Sequence, residues 1–203
     1  MKKLNLPNKL TLLRLVLVPV FVVVMLISNE LWASITGLSL FIVASLTDML
    51  DGKIARKYNL ITDFGKFLDP LADKFMVIGA GFVILYKSLT GGAPRLFCIL
   101  FFCAMLVVVF RELAVTAMRL VVSSSANVVV AANMLGKIKT CTQIACIIVC
   151  IVEPILYSLI PACEKAATIL PASIVTTILM TIFTLLSGIN YLKSYWKYLD
   201  PKK

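Results

Sequence analysis

Six stretches of mainly apolar residues dominate this chain, near residues 10–28, 31–47, 71–89, 94–122, 134–160 and 173–192. A helix needs about 20 such residues to cross the hydrocarbon core of a bilayer. The pattern predicts an all-α integral membrane protein with six transmembrane helices. A composition of 61% hydrophobic and 15% charged residues excludes an ordinary soluble domain. It also excludes disorder, which requires few apolar residues and many charges. Residues 1–203 read as a single membrane-embedded domain, with 1–9 as a short segment ahead of the first span and no internal repeat, low-complexity tract or appended soluble domain. Lys2 and Lys3 before an apolar run imitate a secretory leader, but the run is long and no small-x-small cleavage site follows it, so the first span is expected to be retained.

The net charge of +10 belongs to this membrane pattern rather than to nucleic-acid binding, which has no need of uninterrupted apolar runs. Of the twenty Lys and Arg residues, only Lys87, Arg95 and Lys165 fall on one side of the predicted spans. Basic residues accumulate on the cytoplasmic side of membrane proteins. Both termini, the connection between the second and third spans and that between the fourth and fifth are therefore expected in the cytoplasm. No nucleic-acid partner is expected.

There is no histidine, and the six cysteines form no Cys-x-x-Cys pair and sit largely in apolar runs, where they read as small helix fillers. Any general base must then be a carboxylate, and any metal must be held by oxygen. Five of the ten acidic residues, Asp48, Asp51, Asp63, Asp69 and Asp73, crowd into 26 positions around the second connection. A carboxylate at the centre of a membrane costs about 2.5–3.5 kcal/mol on insertion scales. Even near the boundary, such a cluster calls for a cation. Asp48, Asp51, Gly52 and Ala55 share one helical face, and Gly65, Asp69 and Asp73 share another. Facing each other, the two stripes would gather four carboxylates, with small residues leaving room for a ligand. Oxygen-only ligands favour Mg²⁺ or Mn²⁺, and four acids suffice for two such ions. The plainer reading of these charges is a solvated helix end with acids paired to Lys53, Arg56 or Lys57, which does not require glycines on both stripes.

The run from Asp48 to Arg56, followed by that from Gly65 to Asp73, fits D-x2-D-G-x2-A-R-x8-G-x3-D-x3-D at all eight fixed positions. It resembles the signature of the CDP-alcohol phosphatidyltransferases, membrane enzymes with six transmembrane helices that usually work as homodimers. The resemblance implies transfer of a phosphatidyl group from a CDP-linked lipid to an alcohol, with release of CMP. By this resemblance, Asp48, Asp51 and Asp69 would hold one divalent ion, Asp48, Asp69 and Asp73 a second, and Asp73 would also be the catalytic base. Gly52, Ala55, Arg56 and Gly65 belong to the same signature, Thr62 matches a hydroxyl contact, and Asn8 and Thr11 match a further stretch that binds the CDP-diacylglycerol. Asn8 and Thr11 also read as N-caps of the first helix.

A second set brackets the connection between the fourth and fifth spans: Arg111-Glu112 with Arg119, then Lys137 and Lys139. These cations read either as a pocket for an anionic acceptor or as the general excess of positive charge on inner loops. The stretches Arg111 to Arg119 and Gly136 to Gln143 resemble those of bacterial family members whose acceptor is sn-glycerol 3-phosphate. They imply phosphatidylglycerophosphate as product and the bacterial cytoplasmic membrane as location. In that reading Arg111, Arg119, Lys137 and Lys139 hold the acceptor phosphate, Arg119 and Lys137 first, while Glu112 orients Arg111. Phosphatidylglycerol, serine or inositol phosphate as acceptor, and a cation- or proton-coupled transporter, are the other readings. Against a transporter, the acids gather at one end and no inverted repeat is evident. Asp63 stands where this subfamily more often has Asn, and Glu153 in the fifth span has no sequence-level explanation.

Overall fold

The computed structural model describes residues 5–28, 30–58, 62–126, 134–160 and 164–196; within these, the side chains of 49, 51–53, 55–57, 63, 66, 123–126 and 164–165 are not described. The described chain is helical and without strands: α1 (Leu6–Ile27), α2 (Leu31–Lys57), α3 (Asp63–Thr90), α4 (Arg95–Ala126), α5 (Met134–Leu159), the single turn α6 (Glu164–Ala167) and α7 (Pro171–Trp196). The six long helices alternate in direction. The starts of α1, α3 and α5 gather with the ends of α2, α4 and α7.

Two three-helix groups make up the bundle. α1 packs on α2 and α3, α7 packs on α4 and α5, and α3 and α2 join the groups through α4 and α5. The buried stripe of α1 runs Pro7, Thr11, Arg14, Val18, Phe21 and Met25, a spacing of three and four that marks one helix face. Small residues let helices approach closely. A side chain on Gly37 would strike Met25, and one on Gly81 would strike Met105. The outward faces remain apolar, with Leu13, Val16, Val20 and Val23 of α1 exposed and similar rows on the other helices. An apolar surface this extensive is stable only against lipid.

Five helices are long and apolar enough to cross a membrane, α1, α2, α4, α5 and α7. The sequence pattern predicts six, and the difference is α3. Asp73, Lys74 and Lys87 interrupt its apolar run, yet it is 28 residues long and packs against α1, α4 and α5. Its outer face is nevertheless apolar, with Phe67, Leu71, Phe75, Phe82 and Leu89 exposed, while Ala72, Met76, Ala80 and Val83 are buried inside the bundle. One expectation needs correction near the N-terminus. Helix α1 begins at Leu6, inside the segment 1–9 read as preceding the span, and its N-cap is Asn5. Asn8 and Thr11 therefore lie within the helix and are not N-caps, because Pro7, which has no N–H to satisfy, suits the first turn.

Glu153 finds its explanation at the other end of the bundle. Its carboxylate accepts the N–H groups of Ala172 (3.0 Å) and Ser173 (2.6 Å) and the Tyr157 hydroxyl (2.8 Å). Helix α7 opens on Pro171, and Leu170 before it has a left-handed φ of 55°, so no neighbouring side chain caps the helix. Glu153 supplies the missing acceptor from α5, where a negative charge also suits the helix dipole.

Candidate active site

Helix α2 continues through Lys57 and α3 begins at Asp63, so the acids stand on helix extensions and not in a loop. Thr62 caps α3 by accepting the Gly65 N–H (3.0 Å), and Asn8 of α1 exchanges hydrogen bonds with the Thr62 hydroxyl at 2.9 and 3.1 Å. One turn further along α1, Thr11 donates to Asp69 Oδ1 (2.7 Å). A Cβ on Gly65 would come within 2.9 Å of Asn8 Oδ1 and 3.3 Å of Thr62 Oγ1, so only glycine admits this contact between α1 and α3. Asn8, Thr11, Thr62, Gly65 and Asp69 are thus one interlocked group.

Arg14 continues the same stripe of α1. It is fully buried, and its Nη1 lies 2.6 Å from Asp48 Oδ1. A guanidinium inside a membrane bundle requires a counter-charge, and Asp48 provides it while keeping 32% of its side chain exposed. Sequence reading counts Arg14 only as a topology charge. The signal for more lies in its register: it occupies a core position of α1, where an unpaired cation is not tolerated.

Asp73 sits where the two halves of the bundle meet. The charged groups that act on it are Asp48 and Arg14 from one side and Lys139 and Glu112 from the other. Its Oδ1 is buried with no hydrogen-bond partner among the described residues. On the far side, Glu112 is held by both Lys139 and Arg111 (3.1 Å), all three buried. Arg111 also donates to Ser187 Oγ (2.7 Å) and lies 5.3 Å above the Tyr191 ring. This network occupies Arg111 and Lys139 within the bundle, whereas Arg119 and Lys137 are exposed. Gln143, one turn from Lys139 on the buried face of α5, has neither amide atom paired among the described residues. A buried polar group left unsatisfied costs about 1–3 kcal/mol, so Asp73 and Gln143 are positions where a polar ligand or water is worth most. Gln143 is invisible as a site residue in the sequence except through its spacing of four from Lys139.

The structure thus brings Asp48, Asp69, Asp73, Asn8, Thr11, Thr62 and Gly65 to one end, with Arg111, Arg119, Lys137 and Lys139 at that same end. Asp51, Gly52, Ala55 and Arg56 lie in the last turns of α2, and their side chains fall outside the described residues, as does that of Asp63. Among the described residues no three carboxyl or thiol groups converge closely enough to enclose a metal. The donor chemistry nevertheless suits a hard divalent cation: the acids offer only oxygen, and Asp73 keeps a buried oxygen unpaired. Acids flanked by hydroxyls and bordered by exposed cations can bind a charged phosphate diester and deprotonate a bound hydroxyl.

A family model described as CDP-alcohol phosphatidyltransferase matches residues 4–185. A protein of Bacillus subtilis (strain 168) named CDP-diacylglycerol–glycerol-3-phosphate 3-phosphatidyltransferase is 39% identical to this chain, over 95% of the chain and 96% of its own length. A protein of the same name from Rickettsia felis is 34% identical, covering 96% of this chain and 97% of the relative. One from Arabidopsis thaliana, named with the suffix 2, is 32% identical over 99% of this chain and 84% of its own length.

Proposed function

Since the chain belongs to the CDP-alcohol phosphatidyltransferase family, we propose that it transfers the phosphatidyl group of CDP-diacylglycerol to sn-glycerol 3-phosphate, forming phosphatidylglycerophosphate and CMP. The observation that carries this reading is that Asp69, held by Thr11, and Asp73, with a buried unpaired oxygen, stand at the end of the bundle that also carries the Glu112–Lys139 pair and two exposed cations. A lipid pyrophosphate and a phosphorylated alcohol are both anionic, and this end of the bundle offers charged or polar groups to each.

Asp48, Asp51, Asp69 and Asp73 are the residues that would hold Mg²⁺ or Mn²⁺, as two ions. When bound, these ions neutralise pyrophosphate charge and stabilise the leaving group. The chain's own residues account for the remaining steps. Thr11 orients the Asp69 carboxylate, and Arg14 orients that of Asp48. Asn8, Thr62, Gly52, Ala55, Arg56 and Gly65 form the CDP-diacylglycerol side, where Gly65 keeps α1 and α3 close. Arg119 and Lys137 hold the acceptor phosphate. Arg111 and Lys139 fix Glu112 and shape the wall between acceptor and base. Asp73 takes the proton of the acceptor's primary hydroxyl; that oxygen bonds to the β-phosphorus as the bond to CMP breaks. The working unit is a homodimer in the bacterial cytoplasmic membrane, with both termini and the active site on the cytoplasmic side.

Purified protein incubated with CDP-diacylglycerol, Mg²⁺ and radiolabelled sn-glycerol 3-phosphate is expected to yield a chloroform-soluble phosphorylated product and free CMP. Incorporation of inositol phosphate or serine in preference to glycerol phosphate would overturn the acceptor assignment. Full activity in excess chelator would overturn the metal requirement.

A further inference from the structure

At the end of the bundle opposite the carboxylates lies a cavity of 490 Å³, bounded by α1, α2, α3, α4, α5 and the turn before α7. Met25, Ile84, Phe97 and Ile151 make its walls apolar. Lys87 is the only charged side chain lining it among the described residues, and no carboxylate lines it. Lys87 is half-buried, and its Nζ donates to the Ser28 carbonyl (3.2 Å) and Ser34 Oγ (3.4 Å), both neutral. Glu30 and Glu153, acids of this same end, are engaged elsewhere: the first accepts the Trp32 indole N–H, and the second caps α7. No ion pair neutralises Lys87 among the described residues.

A lysine near a membrane boundary ordinarily extends its ammonium to the aqueous phase. Lys87 instead holds its ammonium between helices, where desolvation is costly, at the end of the molecule that carries few cations. An ammonium has three donors, and two are spent on neutral oxygens. A cation of this kind beside apolar walls matches a ligand that is anionic at one end and hydrocarbon at the other.

We propose that this cavity binds an anionic phospholipid from the membrane leaflet at that end, with its phosphodiester on Lys87 and acyl carbons along the accessible lining of Pro94, Pro154 and Tyr157. Charge complementarity selects the occupant, because among the described residues the cavity offers one positive charge and no negative one. The site is separate from the carboxylate end and does not depend on the reaction assigned there.

Native mass spectrometry of the full-length protein in detergent, titrated with phosphatidylglycerol, phosphatidylcholine or inorganic phosphate, tests the assignment. One phosphatidylglycerol per chain is expected to bind in preference to phosphatidylcholine. Lys87→Gln is expected to weaken that binding about tenfold, the effect of losing one charge-assisted contact. Lys87→Arg is expected to retain most of it. Ser88→Trp narrows the cavity while leaving the cation in place, and is also expected to lose the lipid, which separates binding from the contact of Lys87 with the end of α1. Arg119→Gln, at the opposite end, is expected to leave this binding unchanged. Equal uptake by Lys87→Gln and the native protein, equal uptake of phosphatidylcholine, or displacement of the lipid by millimolar inorganic phosphate would each overturn the proposal.

Discussion

Asp73 depends on residues from four other helices. Asp48 of α2 and Arg14 of α1 act on it from one side, and Glu112 of α4 and Lys139 of α5 act from the other. The base role proposed for it predicts that Asp73→Asn, which keeps the shape and removes the negative charge, abolishes turnover while thermal unfolding in detergent stays near that of the native protein. Residual turnover within tenfold of native would assign the proton transfer to another group. Arg14 leads to a different expectation. Arg14→Met removes the partner of Asp48 at 2.6 Å, and breaking a fully buried pair costs roughly 3–5 kcal/mol. Because Asp48 is 32% exposed, the loss of stability is expected to fall below that range, accompanied by a loss of activity. Arg119→Ala is expected to raise the KM for glycerol phosphate with little change in kcat, whereas Arg111→Ala, which takes from Glu112 one of its two cations and from Ser187 its donor, is expected to lower stability as well. Initial-rate kinetics beside unfolding curves distinguish the two arginines.

Each helix carries a different share of this arrangement. α1 is apolar on its outer faces, yet its inner stripe places Asn8, Thr11 and Arg14 against α2 and α3 before turning apolar at Val18. One helix thereby carries polar contacts at one end and apolar packing at the other. α3 combines both along its length: Asp73, Lys74 and Lys87 interrupt its sequence, while Phe67, Leu71, Phe75, Phe82 and Leu89 leave it an exposed apolar row. α7 depends on a neighbour for its first turn. Glu153→Gln is expected to lower the melting temperature, because the two N–H groups and the Tyr157 hydroxyl would share a weaker, neutral acceptor. Glu153→Leu removes that acceptor and is expected to cost about 1–3 kcal/mol or more. Catalytic parameters of the surviving folded fraction are expected to stay native, since this cap lies at the end of the bundle away from Asp73. A selective loss of kcat in Glu153→Gln would show that the cap communicates with the site.

For the molecule as a whole, the even number of long helices places the described ends, Leu6 and Trp196, on the same side as the carboxylates. If that side is cytoplasmic, a fluorescent protein fused at the C-terminus is expected to fluoresce in bacteria, and a periplasm-dependent phosphatase fused there is expected to be inactive; the opposite pair of results would invert the topology. Much of this design is legible in the residue order. Span length follows from bilayer thickness, and the Asp48–Asp73 signature, which marks the family, stands in the residue order itself. The pairing of Arg14 with Asp48, the engagement of Arg111 and Lys139 by Glu112, the orphaned amide of Gln143 and the service of Glu153 to α7 are not legible there. Periodicity and motifs arise from interactions within one helix or between a side chain and its solvent, and these act over a few residues. Which charge meets which depends on how helices distant in sequence pack, and in a low-dielectric bundle that packing decides whether the same arginine binds substrate or neutralises a neighbour.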